Sequence, residues 1–284
     1  MNRAALPLTA YFQDSKYWLF STAITLMCLH LTLLWKVSSN FDYLSISLLF
    51  EGTALYLLYQ KRDQIQVEGG PLAYLIGLTL IGLVLMRALF NPWFGPFLQI
   101  TPFLGGLGLA LIAGKPRQYW RELVIFALVG GQIPFSGFIL KVVNIPVHAA
   151  QFSTFLLWYL GYPVTRQGAN VALPTGSILV NPGCAGIDII YVLLGLTVLF
   201  VLLVPLDWRY RLILPGIAYL LAFTVNGVRV ALLAVLQASG DKLAFEYWHM
   251  GDGASLFSIV SLVGFGWVLR YFARLEPPSL LKTP

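Results

Sequence analysis

A cysteine, an arginine and a histidine in the second half of the chain are the residues best suited to chemistry. Cys184 lies in the segment Asn181-Pro182-Gly183-Cys184-Ala185-Gly186, directly before an apolar run from Ile187 to Leu206. Arg229 lies inside a later apolar segment, and His249 lies just before another. A thiol can attack a carbonyl, a guanidinium can stabilise an oxyanion, and an imidazole can transfer a proton. The three groups together predict acyl transfer at a membrane surface.

The composition predicts the class of protein that must position these groups. Hydrophobic residues make up 58% of the 284 residues and charged residues only 11%, whereas a soluble domain carries about 25% charged residues. A polytopic helical membrane protein is therefore expected. The net charge of +6 reflects membrane orientation rather than nucleic-acid binding. Two cysteines exclude a disulfide framework, and no Cys/His spacing indicates a metal site or a cofactor.

Eight apolar stretches predict transmembrane helices, because about 20 apolar residues cross a bilayer and backbone groups in lipid must be satisfied within the segment. The predicted spans are residues 18–36, 43–60, 71–90, 97–113, 122–142, 187–206, 212–236 and 253–272. Gln132, Pro134 and Ser136 make the fifth span the most irregular. We expect one all-α integral membrane domain over residues 1–284, with no convincing internal repeat.

The positions of lysine and arginine predict the orientation. With eight spans, one side carries Arg3, Lys16, Lys61, Arg62, Lys115, Arg117, Arg121, Arg209, Arg211, Arg270, Arg274 and Lys282. The other side carries only Lys36, Lys141, Arg166 and Lys242, and Arg87 and Arg229 fall inside spans. Positive loops face the cytoplasm. We therefore expect a plasma or inner membrane protein with both termini in the cytoplasm.

The same orientation brings the three chemical groups to one level. Cys184 and His249 both precede spans on the outer side. Arg229 lies about 10 Å below the outer end of its span at a rise of ~1.5 Å per residue, and a long side chain covers part of that distance. An interfacial aromatic belt is expected from the tryptophans near predicted ends: Trp18, Trp35, Trp93, Trp120, Trp208 and Trp248.

Residues 143–186 form the only long connection, and a loop of this length is more often functional than accidental. Its first part, Ile145 to Tyr162, is apolar and aromatic and predicts an interfacial helix. Short extended runs follow around the turn Pro174-Thr175-Gly176, which predicts a small β-hairpin. This loop delivers the chain to Cys184.

Cys184 has two interpretations. It could be an inert small residue at the start of a helix. Alternatively, the positive end of the helix dipole stabilises its thiolate, and Gly183 and Gly186 allow a peptide to approach the backbone closely. Cys28, in the middle of the first span, is better explained as an apolar packing residue.

Arg229 also has two interpretations, and they are compatible. A guanidinium inside a span is costly and usually marks a functional group or a specific ion pair. Asn226, three residues earlier, lies on the same helical face and would present its amide to the same place. The structural alternative is an ion pair with Asp188, one turn after Cys184.

The remaining ionisable groups are less specific. His249 could be an ordinary interfacial histidine, and His148 in the outer loop competes with it. His30 lies in mid-span and is expected to be packed or hydrogen-bonded. Glu51 and Arg87 lie in spans at depths that do not match well, so their roles stay open.

These motifs resemble the exosortase/archaeosortase family of membrane transpeptidases. The resemblance is best over residues 145–265. It rests on Cys184-Ala185-Gly186, on Asn226-Gly227-Val228-Arg229 and on His249 before the last span. Arg166, Gly168, Leu173-Pro174 and Gly176 also resemble the family's approach to the cysteine. Ala185, where serine is usual, and Asp188 depart from the pattern, and a cyanoexosortase-like branch fits best.

The resemblance implies a mechanism and a substrate class. Cys184 would form a thioester, Arg229 would stabilise the oxyanion, and His249 would act as general acid and base, with Asn226, Asp188 and Gly186 in support. The implied substrates are secreted proteins with a C-terminal sorting tail, made of a Pro-Glu-Pro-like motif, a transmembrane helix and a basic end. The implied acceptor is a glycolipid or polysaccharide at the membrane lipid surface.

Two other functions remain open at this level. A membrane cysteine protease that releases its product to water would need the same residues. A transporter or channel would instead use Arg229, Glu51 and Arg87 as buried pathway charges, and it would tolerate loss of the Cys184 thiol.

Overall fold

The computed structural model describes residues 15–39, 41–65, 67–90 and 95–275. Arg3, Trp93 and Lys282, which contribute to the predicted orientation and aromatic belt, lie outside the described residues. The chain divides into two compact units, with the boundary at Pro134 and Phe135. The single membrane domain expected from the sequence stays a prediction.

The first unit is helical. Its helices are α1 (Ser15–Ser38), α2 (Phe41–Gln60), α3 (Pro71–Phe90), α4 (Pro96–Ile112) and the first part of α5 (Trp120–Val142), with short 3-10 turns at Arg62–Gln64 and Pro116–Tyr119. Helices α3 and α4 approach closely because glycines meet at their interface. A Cβ on Gly77 would lie 2.6 Å from the Gly108 carbonyl oxygen, and one on Gly108 would lie 2.8 Å from the Gly77 carbonyl oxygen. Small residues of this kind let membrane helices pack backbone to backbone.

The second unit contains the chemical groups. Its elements are α6 (Ile145–Tyr159), β1 (Thr165–Gln167), β2 (Asn170–Leu173), β3 (Gly176–Leu179), α7 (Ile187–Leu203), α8 (Trp208–Ser239), α9 (Lys242–His249) and α10 (Asp252–Leu275). Helix α8 is central and packs against α6, α7, α9, α10 and β3. Its small buried residues Ala218, Ala222, Ala231 and Ala234 belong to the main apolar core of this unit.

Within the described ranges, four helices are long and apolar enough to cross a membrane. They are Tyr17–Ser38, Pro71–Phe90, Trp208–Ser239 and Asp252–Leu275, and the helix bent near Pro134 gives a fifth if it counts as one span. The protein is therefore a multi-pass membrane protein, but the predicted count of eight spans is not confirmed. Helices form at all eight predicted places. However, α4 and α7 have only 17 residues, about 25 Å of helix against a ~30 Å hydrocarbon core.

Helix α7 is shorter than predicted because of a proline. The apolar run continues to Leu206, but the helix ends at Leu203 and Val204 adopts an extended conformation. Pro205 follows, and proline disfavours the helical conformation of the residue before it. Hydrophobicity therefore placed the start of this helix correctly and its end three residues too late.

The long connection contains more structure than the predicted hairpin. Helix α6 covers most of the predicted interfacial helix, and Phe155, Trp158 and Tyr159 near its end are exposed. Strands β2 and β3 form the hairpin, and β1, which was not predicted as a strand, adds to β2 in an antiparallel sheet of order β1-β2-β3.

The sheet is anchored to the end of α8. The Thr175 hydroxyl donates to the Ala238 carbonyl at 2.7 Å. A Cβ on Gly176 would lie 2.9 Å from the Gln237 carbonyl oxygen, so only glycine allows this close approach. The hairpin therefore fixes the chain that leads from β3 to Cys184.

Candidate active site

Cys184 lies in a tight turn between β3 and α7. Its backbone N–H donates to the Asn181 side-chain oxygen at 2.9 Å and to the Asn181 carbonyl at 3.0 Å. Asparagine commonly forms such turns by bonding its own backbone a few residues on. Asn181 therefore fixes the conformation in which Cys184 presents its thiol. Asn181 was not predicted as a site residue, although the Asn-Pro-Gly run before the cysteine is a recognisable turn signal.

Gly186 and Asn226 lock this turn onto α8. Gly186 precedes α7 in the left-handed conformation, with φ at 78°. The Asn226 amide donates to the Cys184 carbonyl at 2.9 Å. A Cβ on Gly186 would lie 2.6 Å from Asn226 Cγ. The glycine therefore makes room for the buried Asn226 side chain, which is a different reason from the predicted approach of a peptide.

Replacing Gly186 with alanine should displace Asn226 and loosen Cys184. The left-handed conformation alone costs a non-glycine residue about 1–2 kcal/mol, and the clash with Asn226 adds to this. We expect a lower thermal unfolding temperature in detergent and a loss of activity of about tenfold or more, given that cost. Gly183→Ala is the matched control, since its Cβ would meet only Asn181 Oδ1, at 3.4 Å. Equal stability and activity of the two variants would contradict this role for Gly186.

His249 contacts Cys184 directly. The Cys184 Sγ and His249 Nε2 atoms are 2.9 Å apart, although the residues are 65 positions apart in the chain. Helix α8 ends at Ser239, and the next residue, Gly240, adopts the left-handed conformation with φ at 74°. Helix α9 then turns back towards the cysteine. The Phe245 ring packs on the imidazole with centroids 5.0 Å apart, one helical turn before His249. This aromatic support was not predicted, although the spacing of four residues could have indicated it.

Arg229 holds the end of α9 in place. Its Nη2 donates to the His249 carbonyl at 2.6 Å, and its Nε makes a longer contact of 3.4 Å with the Trp248 carbonyl. A guanidinium carries five N–H donors, so these two contacts leave donors for a substrate oxygen. The Cys184 N–H is already bonded to Asn181. Arg229 is therefore better placed than the Cys184 backbone to receive an oxyanion.

The charge states of the thiol and the imidazole differ from the sequence-based expectation. Burial raises the pKa of the Cys184 thiol, and the nearby Arg229 guanidinium and a hydrogen bond with the Asn181 backbone offset this only in part. Burial, followed by Arg229, lowers the pKa of His249. The usual values are about 8.5 and 6.5. Both shifts favour a neutral thiol and a neutral imidazole near pH 7 rather than the thiolate expected from the helix dipole.

This neutral pair predicts a particular pH dependence. A thiol with a raised pKa is alkylated slowly by iodoacetamide at neutral pH, and its rate should rise only above about pH 8.5. A thiolate–imidazolium pair would instead react fast from below about pH 6.5. The kcat/KM should rise as His249 loses its proton, with a midpoint below ~6.5. A fast alkylation plateau between about pH 6 and 8 in a Cys28→Ala background would contradict this assignment.

Two other predicted candidates lie in the second unit. Asp188 lies in the first turn of α7, and its pairing with Arg229 stays a prediction. His148 lies exposed on α6, while His249 makes the contact with the thiol. The structure therefore brings Cys184, Asn226, Arg229 and His249 together, and their catalytic roles stay predictions.

The remaining candidates lie in the first unit. His30 Nδ1 and Glu51 Oε1 are 2.5 Å apart and both residues are buried, as expected for a hydrogen-bonded mid-span histidine. Arg87 lies over the Phe97 ring at 5.4 Å, so the structure gives Arg87 and Glu51 separate partners. The packing prediction for Cys28 is wrong, because its side chain is exposed on α1. Among the residues described, no cluster of His, Cys, Asp or Glu could hold a metal ion.

The fold and the site together define a multi-pass membrane protein with a thiol–imidazole pair beside a partly buried guanidinium. The family model described as transmembrane exosortase matches residues 14–266. The chain belongs to the transmembrane exosortase family, and membership implies an enzyme of the cysteine transpeptidase type. Neither the curated proteins nor the solved structures that were compared include a match.

Proposed function

We propose that this protein cleaves the C-terminal sorting tail of secreted proteins through a thioester on Cys184 and transfers the new C-terminus to a cell-surface acceptor. The observation that carries the proposal is the 2.9 Å contact between Cys184 Sγ and His249 Nε2, next to the guanidinium that holds the His249 carbonyl. A nucleophile within hydrogen-bond reach of its base is the geometry that covalent catalysis requires.

The first half of the reaction forms the thioester. Cys184 Sγ attacks the scissile carbonyl carbon while His249 Nε2 takes the thiol proton. Arg229 donates to the oxyanion of the tetrahedral intermediate. The intermediate collapses by breaking the C–N bond, and the leaving amine takes the proton from His249. The products of this half are the acyl-enzyme and the free tail.

The second half regenerates the thiol. The hydroxyl or amine of the acceptor attacks the thioester carbonyl and gives its proton to His249. Collapse of this intermediate breaks the C–S bond, and the sulfur takes the proton back from His249. Water in place of the acceptor would give hydrolysis, so the same residues serve a protease and a transpeptidase.

Family membership, rather than the geometry, supports the proposed substrate and acceptor. We propose secreted proteins that end in a Pro-Glu-Pro-like motif, a transmembrane helix and a basic end. The acceptor would be a glycolipid or polysaccharide. A site at the edge of helices that cross the membrane suits a substrate whose tail is itself a membrane helix.

Product mass distinguishes these reactions. A tailed substrate coexpressed with the wild-type protein should lose its tail and gain the mass of the acceptor. Coexpression with His249→Ala is the comparison, since this variant keeps the thiol but lacks the base. Loss of the tail with only the mass of water added would support the protease function. Equal processing by wild type and His249→Ala would reject the Cys184–His249 mechanism.

The proposed orientation places Cys184 on the outer face of a plasma or inner membrane, with both termini in the cytoplasm. It rests on the asymmetry of lysine and arginine. In intact cells, a membrane-impermeant maleimide should label Cys184 in a Cys28→Ala background. His249→Ala in the same background should be labelled as well. Labelling that requires opened membranes would reverse the orientation.

A further inference from the structure

Strand β3 has a free edge beside the cysteine. It pairs only with β2 in the sheet that the structure describes. The Val180 N–H donates to the Ala169 carbonyl at 3.0 Å, in register with the pairing of Val171 and Ile178. Hydrogen-bonded pairs alternate along an antiparallel ladder. The N–H and C=O groups of Ser177 and Leu179 therefore point away from β2.

A groove runs along this free edge and ends at the thiol. We define the β3 groove by its lining residues, which are Ser177, Ile178, Leu179, Val180, Asn181, Cys184, Val230, Leu233, Gln237, Phe245 and His249. One wall is β3 and its continuation, and the other is α8 with α9. Its volume is about 240 Å³, just below the ~300–1,000 Å³ of small-molecule pockets. It suits a short extended segment better than a bulky ligand.

We propose that the substrate residues preceding the scissile bond bind in the β3 groove as an added strand, hydrogen-bonded to the backbone of Ser177 and Leu179. This inference rests on the proposed function, because the occupant is the peptide that Cys184 attacks. Unpaired strand edges bind extended peptides through main-chain hydrogen bonds. The continuity of the groove with Cys184 identifies the occupant, since a strand placed there leads directly to the sulfur.

The groove also sets the direction of the added strand. Gly176 packs on Gln237 at the end of α8, while the Cys184 carbonyl bonds Asn226. Eleven residues of helix separate these two points, about 16 Å at ~1.5 Å per residue. Gln237, Leu233 and Val230 line the groove on successive turns of α8, so the groove follows this helix towards the thiol. In the proposed orientation, a substrate whose tail lies in the membrane runs along this groove parallel to β3.

In a parallel pairing with β3, alternate substrate residues differ in whether their backbone N–H and C=O groups face the enzyme. Only every second residue directs its N–H and C=O groups to β3. A proline at an intervening position loses no bond to the enzyme, because the N–H that it lacks would face away. Two prolines separated by one residue are therefore compatible with this strand, provided that the residue between them faces β3.

Amide hydrogen exchange tests the pairing without requiring turnover. A synthetic tailed peptide is added to the full-length Cys184→Ala variant in lipid nanodiscs. The Ser177 and Leu179 amides should exchange at least about tenfold more slowly with peptide, the protection expected when a free strand edge becomes paired. The Ile178 and Val180 amides already donate to the β2 side and should change little. Protection without this alternation would overturn the proposal.

Wild-type kinetics supply the second measurement. N-methylation of successive substrate amides should lower kcat/KM at every second position by about tenfold, the loss of roughly one backbone hydrogen bond. In the enzyme, Leu179→Pro removes an N–H that faces the groove, and Leu179→Ala is its control. Leu179 is 69% exposed, so truncating its side chain should have little effect on folding. Equal kcat/KM for the two variants would count against the added strand.

The outcomes separate the two proposals. If wild type processes the peptide, but amide protection does not alternate along β3 and the effect of N-methylation on kcat/KM does not alternate along the substrate, the added strand is rejected and the proposed function stands. If Ser177 and Leu179 are protected but wild type does not process the peptide, the groove is confirmed as a peptide site and the proposed function fails. If neither binding nor processing is seen, both are rejected.

Discussion

Cys184→Ala is expected to abolish tail processing, with a loss on the order of 10³-fold or more, as when the nucleophile of a covalent mechanism is removed. The change should leave the fold intact, because the turn is held through the Cys184 backbone. Its N–H bonds Asn181 and its carbonyl accepts from Asn226, and alanine retains both groups. Processing of a coexpressed tailed substrate, measured at matched membrane levels, provides the readout.

Cys28→Ala is the matched control for this prediction. Cys28 is exposed on α1 in the first unit, so its loss should leave processing unchanged. Wild type should also form a hydroxylamine-sensitive adduct with the mass of the substrate fragment before the scissile bond. Normal processing by Cys184→Ala would end the thiol mechanism and return attention to a function that does not use the cysteine.

Arg229→Lys is expected to insert and fold but to lose on the order of 10²-fold in rate, the scale seen when one oxyanion donor is removed. Lysine keeps the positive charge but replaces the planar fork of donors with a single ammonium group. Arg229 bonds the His249 carbonyl at 2.6 Å while facing the thiol. A single ammonium cannot match both tasks, so we expect a loss mainly in kcat.

The alternative role for Arg229 is neutralisation of Asp188. If that were its only role, Arg229→Lys would retain most activity, and the double variant Asp188→Asn/Arg229→Gln would also be active. Normal membrane levels with full processing by the double variant would remove Arg229 from the mechanism. Thermal unfolding of each variant in detergent separates a loss of rate from a loss of stability.

Local sequence patterns predicted much of the secondary structure. Helices occur at the predicted places because apolar runs in lipid must satisfy their own backbone groups. The turn at Pro174-Thr175-Gly176 predicted the hairpin through local turn chemistry. Strand β1 was missed because Thr165–Gln167 has only three residues and is exposed. Its pairing with β2 is a hairpin closed by the two-residue turn Gly168-Ala169, with φ of Gly168 at 61°, so this glycine was the local signal that could have indicated it.

For the candidate site as well, one part could be predicted from the sequence and another part required the structure. The sequence by itself determined a membrane protein of this family, with Cys184, Asn226, Arg229 and His249 as its chemical groups, since residue types and their order along the chain are enough for that. The structure adds the contact itself: His249 Nε2 lies 2.9 Å from Cys184 Sγ, because the chain turns back after Gly240.

Only the tertiary structure decided how these groups work together. Burial raises the pKa of the Cys184 thiol against the opposing effect of Arg229, and burial together with Arg229 lowers the pKa of His249. These effects favour the neutral forms of both groups and depend on atoms distant in sequence. Gly186 makes room for a side chain 40 residues further along, and Cys28 is exposed rather than packed. The helix dipole is a local effect that can be inferred from sequence, whereas desolvation, the largest contribution to the raised pKa of Cys184, depends on which surfaces meet.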